Sequence, residues 1–201
     1  MQNRWLIVAT AVAAAAAGFG AAALFTARAP LELRSGTALS KPRPLANFSL
    51  RDQHGGSFTR DNLEGRWTLL FAGFTNCPDI CPTTLAQLGQ LQVELANDRV
   101  QVLFLTVDPE RDTPEHIAAY LAHFGPGLVG TTGTTAQVES FASQLGLAYV
   151  RIPGVGESYT VDHSAALVLI DPRARVAGYF TPPHANGALA ADLAGLNGRK
   201  Q

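Results

Sequence analysis

The chain has 201 residues, 47% of them hydrophobic and 15% charged, which suits one ordinary globular domain with a sizeable core plus a leader. Its formal net charge is −1. Without Arg4 and Arg28 of the first 29 residues the balance is 13 basic against 16 acidic, with no basic block, which argues against nucleic acid as a partner.

Residues 5–25 carry no charge and are mostly Ala with Leu, Ile, Val and Phe. A stretch of that length can cross a bilayer and is longer than the apolar core of a cleaved signal, so residues 1–29 read as a signal anchor. Small residues at Ala21, Ala22 and Ala23 also offer a cleavage site, but no cysteine follows that could carry a lipid. Arg28, Arg34, Lys41 and Arg43 after the span oppose export by positive-inside counting. Long domains translocate largely regardless of such charge, so the domain is expected outside the cytoplasm.

Residues 30–46 hold Pro30, Pro42 and Pro44 with little periodicity and read as a tether. A hairpin is expected over 47–59, with Phe48 and Leu50 on one side of a turn at Gln53-His54-Gly55-Gly56 and Phe58 on the other. Residues 67–74 are a short apolar, aromatic run and predict a buried strand. Behind it comes Cys77-Pro78-Asp79-Ile80-Cys81-Pro82, which holds both cysteines of the chain. Leu85, Leu88 and Leu91 then recur at helical spacing, and Pro82 is tolerable only in a first turn.

The cysteines therefore fall on a loop and the first turn of a helix, where residues four apart turn to one side with Cβ atoms about 5–6 Å apart. Two sulfurs there can close a disulfide or share a metal ion. The positive end of the helix is expected to favour thiolate over thiol. A purely structural staple or two inert buried thiols is the alternative, but a disulfide closing so small a loop restrains little of the unfolded chain.

Beyond the cysteines, residues 100–107 predict a strand, and Asp112 or Thr113 caps a helix that opens on Pro114-Glu115 and runs to about Phe124. A short strand is expected at 128–131, a helix at 135–145 and a strand at 148–152. Residues 165–170 and 175–180 read as an antiparallel pair about Asp171-Pro172-Arg173, and 186–196 as a last helix. Such alternation indicates an α/β domain, a mixed sheet covered by helices on both faces.

Two thiolates and an imidazole satisfy Cu(I) in a trigonal site, whereas structural zinc asks for four ligands. Of the five histidines, His54 sits in a polar turn, His116 in a first helical turn, His123 near a helix end and His184 in a Pro-rich loop; each reads as a surface or capping residue. His163 lies in Tyr159-Thr160-Val161-Asp162-His163-Ser164, between a Gly-rich loop at 153–156 and an apolar strand. Its place at the mouth of a core strand fits a ligand and a satisfied structural histidine equally.

Three signatures, Cys77-Pro78-Asp79-Ile80-Cys81-Pro82, Val107-Asp108-Pro109-Glu110-Arg111-Asp112-Thr113-Pro114 and Tyr159 through Ser164, resemble those of the Sco/SenC family of copper-assembly proteins over about residues 45–198. The resemblance implies a thioredoxin-like mixed sheet with an added N-terminal hairpin over 47–198, behind a membrane anchor. It implies one copper, Cu(I) or Cu(II), held by Cys77, Cys81 and His163. The implied role is maturation of the binuclear copper site in subunit II of cytochrome c oxidase, with a copper donor protein and a thioredoxin-type reductant as further partners. The implied location is the bacterial periplasmic side, or the mitochondrial intermembrane space. Asp79 is expected to cap the cysteine helix and Asp162 to orient the His163 ring. Asp108 and Asp112 read as structural, at a strand end and a helix cap.

Two rival classes share the fold. A thiol–disulfide oxidoreductase uses such a cysteine pair, usually with two residues between and a cis-proline opposite. A peroxidase of this superfamily places threonine three residues before its single reactive cysteine, where this chain has Phe74.

Overall fold

The structure, a computed structural model, describes residues 31–95, 99–156 and 158–196. In chain order these form β1 (Thr37–Pro44), β2 (Ser49–Asp52), β3 (Ser57–Thr59), β4 (Trp67–Gly73), α1 (Ile80–Leu95), β5 (Val100–Thr106), α2 (Pro114–Leu121), β6 (Leu128–Thr132), α3 (Thr135–Leu145), β7 (Tyr149–Pro153), β8 (Tyr159–His163), β9 (Leu167–Asp171), β10 (Arg175–Phe180) and α4 (Asn186–Leu196). Eight strands make one mixed sheet in the order β1-β10-β9-β4-β5-β6-β2-β3, while β7 and β8 pair only with each other. The membrane span expected at residues 5–25 lies outside the described residues, among which no helix is long and apolar enough to cross a membrane.

Every residue of β4 and β5 is buried, as expected of neighbouring parallel strands covered on both faces. Their apolar side chains, with Phe141, Phe180 and the leucines of α1 and α4, form one core cluster. The polar residues admitted there are paired: Gln101 Nε2 donates to Thr68 Oγ1 at 2.8 Å and to the Asn62 carbonyl at 3.1 Å. Helix α3 shows why its ends were readable. Thr134 Oγ1 and the Gln137 side chain exchange hydrogen bonds with each other's backbone N–H at the start, and Gly146 takes the left-handed conformation, φ 73°, at the end.

Three assignments differ from expectation. Part of the segment read as a tether, Thr37–Pro44, is strand β1, paired antiparallel with β10. It lies at a sheet edge, where proline costs no ladder hydrogen bond, and its residues are mostly exposed, so no alternation marks it. Residues 148–152 do not join the main sheet, and 159–163 form a strand of their own: β7 and β8 make a hairpin that stands apart. The helix cap near 113 is Thr113, whose side chain accepts from the His116 N–H, not Asp112, which is fully buried elsewhere.

The register decides what meets at the carboxyl ends of the central strands. Gly73 at the end of β4 stands beside Thr106 at the end of β5, and the Val107 N–H donates to the Gly73 carbonyl at 2.8 Å. The loops following β4 and β5 are therefore neighbours. Strand β9 runs antiparallel to β4 with Leu167 opposite Phe71. The residues just before β9, His163 among them, consequently arrive at the same end of β4.

Candidate metal centre

The loop after β4 is closed by a turn in which the Cys77 N–H donates to the Phe74 carbonyl at 3.3 Å. Helix α1 then begins at Ile80, and Cys81 lies in its first turn, fully buried, whereas Cys77 is half-buried. The Cys81 N–H points at Cys77 Sγ, 3.4 Å away, so the first sulfur sits over the open N–H groups of the helix. Gly73 leaves room for the second: a β-carbon there would lie 3.0 Å from Cys81 Sγ. Both cysteines are free thiols.

His163, the last residue of β8, brings Nε2 to 3.4 Å from Cys81 Sγ across 82 residues of sequence. Its other ring nitrogen, Nδ1, lies 3.2 Å from the Ser164 carbonyl oxygen. A carbonyl can only accept, so this contact assigns the proton to Nδ1 and leaves the Nε2 lone pair directed at the sulfur. Phe71 and Phe74 meet the imidazole edge-on, each with ring centroids 6.0 Å away. One ligand atom from each of Cys77, Cys81 and His163 falls within 4.8 Å of the others, so the three residues expected to act together do meet.

Electrostatics here run against one expectation. Burial, followed by the hydrogen bond with Cys77, pushes the Cys81 thiol well above the ordinary cysteine range, against the opposing backbone hydrogen bond with Phe74. Burial likewise lowers the pKa of His163, against weaker opposing effects of Ser164 and Asp162. The centre without metal thus holds a protonated Cys81 thiol beside a neutral imidazole. Removing that thiol proton creates the soft anionic ligand, so metal capture and proton release are coupled.

Of the two residues expected to support the ligands, Asp79 stands directly before helix α1 and Asp162 directly before His163 on β8. Asp79 is exposed and contributes its backbone carbonyl, which accepts from the Thr83 N–H at 3.3 Å and from Thr83 Oγ1 at 3.0 Å. Asp162 is exposed next to His163 on β8, where successive side chains alternate, and the ring is oriented by the Ser164 carbonyl instead. A backbone acceptor carries no side-chain signature, which is why sequence reasoning missed it. The remaining histidines are elsewhere; His184 Nε2 lies 3.1 Å from the Ala165 carbonyl oxygen.

Sequence reasoning also missed how the cysteine loop is fixed. Asp112 accepts from the Thr75 N–H at 3.0 Å, from Thr75 Oγ1 at 2.6 Å and from Thr106 Oγ1 at 2.5 Å, while its own carbonyl accepts from Thr132 Oγ1 at 3.1 Å. Two residues before the first cysteine, the chain is tied to the loop that follows β5. The run Val107 to Pro114 was the available signal.

A central sheet flanked by helices, with two thiols at the strand-to-helix turn and an imidazole beside them, defines a thioredoxin-like domain with a Cys₂His cluster that could hold a metal ion. The SCO1/SenC family model matches residues 37–197, and the chain belongs to that family. It is 37% identical over 138 residues to an SCO2-like protein of Rickettsia conorii, an alignment covering 67% of each chain. It superposes on Bradyrhizobium japonicum ScoI solved with copper bound, with TM-score 0.70 and 35% identity, covering 75% of this chain and 97% of that one. It also matches BsSco, described as having a disulfide switch and as a member of the Sco family of cytochrome c oxidase assembly proteins, with TM-score 0.64 and 25% identity over 79% of this chain and 96% of that one.

Proposed function

We propose that this chain is a copper carrier that loads one copper ion onto Cys77, Cys81 and His163 and delivers it to the binuclear copper site of cytochrome c oxidase subunit II. The observation that carries the reading is the convergence of one imidazole nitrogen and two soft sulfurs within 4.8 Å at the end of a buried strand. Such a donor set suits Cu(I) in a trigonal site and falls one ligand short of structural zinc. The relatives solved with copper bound support it. Oxidation of Cys77 with Cys81 would form a disulfide with loss of two protons and two electrons, leaving no thiolate for the ion. The pair therefore gates loading, and a thioredoxin-type reductant resets it. A copper donor protein completes the cycle. The proposed location is the outer face of a membrane, on the bacterial periplasmic side, with residues 1–29 as the anchor; residues 5–25 supply the uncharged stretch that this requires.

Titration of the reduced protein with Cu(I) against a chromophoric chelator tests the reading. One tight equivalent is expected, lost on oxidation and sharply weakened in His163→Ala. A second reading, reduction of a partner's disulfide, draws on the asymmetry of a half-buried Cys77 beside a fully buried Cys81. An oxidoreductase without a metal role would bind no copper in a His163-dependent way, and that outcome would sink the first reading.

Two further results are expected of the same titration. Asp162→Asn leaves Cu(I) affinity within about threefold of the parent, because the ring is held through Ser164; a tenfold loss, about 1.4 kcal/mol, would restore a role for the carboxylate. Affinity rises with pH across the neutral range by about tenfold per pH unit for each proton displaced. The sign follows from the raised pKa of Cys81: at neutral pH the thiol is protonated, and higher pH removes the competing proton. An affinity flat between pH 6 and 8 would contradict it.

A further inference from the structure

The β7–β8 hairpin carries His163 yet pairs with no other strand, and most of its residues are exposed or half-buried; Val161 alone on β8 is fully buried. Something outside the hairpin must set where the imidazole stands. Besides the contact of His163 with Cys81, its polar contacts to the rest of the described domain converge on one loop, the residues that follow β5. Tyr159 Oη donates to Asp108 Oδ1 at 2.7 Å, and Arg111 Nη1 donates to the Tyr159 carbonyl at 3.1 Å. The Arg111 guanidinium carbon lies over the Tyr159 ring, 3.7 Å from its centroid, and Arg111 Nε also binds the carboxylate of Asp108, which is fully buried. Arg151 on β7 reaches Glu110 at 2.8 Å.

The other end of the same loop is Asp112, which holds Thr75 in the cysteine loop. A single five-residue segment thus grips both halves of the metal centre, the cysteines through Asp112 and the histidine hairpin through Asp108 and Arg111. A charge-assisted contact on a fully buried carboxylate, with the cation over an aromatic ring, holds a fixed geometry better than an exposed ion pair does.

We infer that Arg111 and Asp108 are positioning residues for metal capture: by locking Tyr159 they hold β8 so that His163 stands over the cysteines. The inference rests on the copper reading above and adds to it the device that assembles the third ligand. Neither residue touches the ligand atoms, and an effect that passes through His163 is what separates positioning from a general contribution to folding.

The test is a double-mutant cycle on the reduced full chain, titrated with Cu(I) under chelator competition. Arg111→Ala is expected to weaken binding about tenfold to a hundredfold, the usual range for a residue that supports a metal ligand. In a His163→Ala background the same change should cost nothing further, because the ligand it positions is gone. Tyr159→Phe, which removes one hydroxyl and leaves the ring, should act in the same direction by a smaller factor. It carries the same cycle if Arg111→Ala does not fold. Equal losses from Arg111→Ala or Tyr159→Phe in both backgrounds, or no loss in either, would overturn the inference while leaving the copper reading intact. Absence of tight binding in the parent would overturn both.

Discussion

Cys81→Ser is expected to lower the affinity of the reduced protein for Cu(I) by roughly a hundredfold to a thousandfold. A structural zinc site draws about 10–16 kcal/mol from four ligands, so one soft ligand contributes on the order of 3–4 kcal/mol. Replacing sulfur by a hard hydroxyl forfeits most of that with Cu(I). The choice of serine keeps the comparison clean. Cys81 is fully buried at 3.4 Å from His163 Nε2, and a hydroxyl there can donate to the same nitrogen, so it is not left unsatisfied. Thermal unfolding measured beside the chelator competition checks that the fold persists. An affinity within tenfold of the parent would mean that the ion does not sit on this sulfur.

Asp112→Ala is expected to destabilise the domain by about 3–5 kcal/mol, because removing the carboxylate orphans several buried donors at once. Thr75 N–H, Thr75 Oγ1 and Thr106 Oγ1 would all lose their acceptor. Asp112→Asn keeps one carbonyl oxygen and should cost markedly less. The pH dependence has a definite sign. Burial is the largest influence on Asp112 and outweighs the hydrogen bonds from Thr106 and Thr75, so the folded pKa lies above the ordinary 3.8. The native state then holds the proton more tightly than the unfolded chain. The contribution of this group is complete below the unfolded value and fades as pH rises through the higher folded value. Urea unfolding from pH 3.5 to 7 should show the parent losing stability relative to Asp112→Asn as pH rises. A loss below 1 kcal/mol in Asp112→Ala would show that the cysteine loop is held by other contacts.

The sequence was informative where structure is locally encoded. The continuous apolar runs of β4 and β5 predicted buried strands, and the bounds of α3, β10 and α4 fell where they were expected. Cys77 and Cys81 could be placed at a strand-to-helix turn from the apolar run before them and the helical leucines behind. Legibility failed where local pattern is silent. Strand β1 carries prolines and has no buried face to alternate with, since it is an edge. Asp112 looked like a helix cap because it stands one residue from one, and only the approach of Thr75, 37 residues earlier, shows what it binds.

Alone, the order of residues determined which atoms are available: two thiols four apart at a helix start, one imidazole ahead of an apolar strand, and strand and helix periods that specify a mixed sheet. Folding decided that the imidazole crosses 82 residues to stand 3.4 Å from Cys81, because β9 runs antiparallel beside β4 and delivers its leading residues to that strand's end. It also decided that burial, which depends on everything packed around a group, raises the pKa of the Cys81 thiol. Periodicity and capping are written within a few neighbouring residues. Strand pairing and desolvation exist only once distant parts of the chain have met.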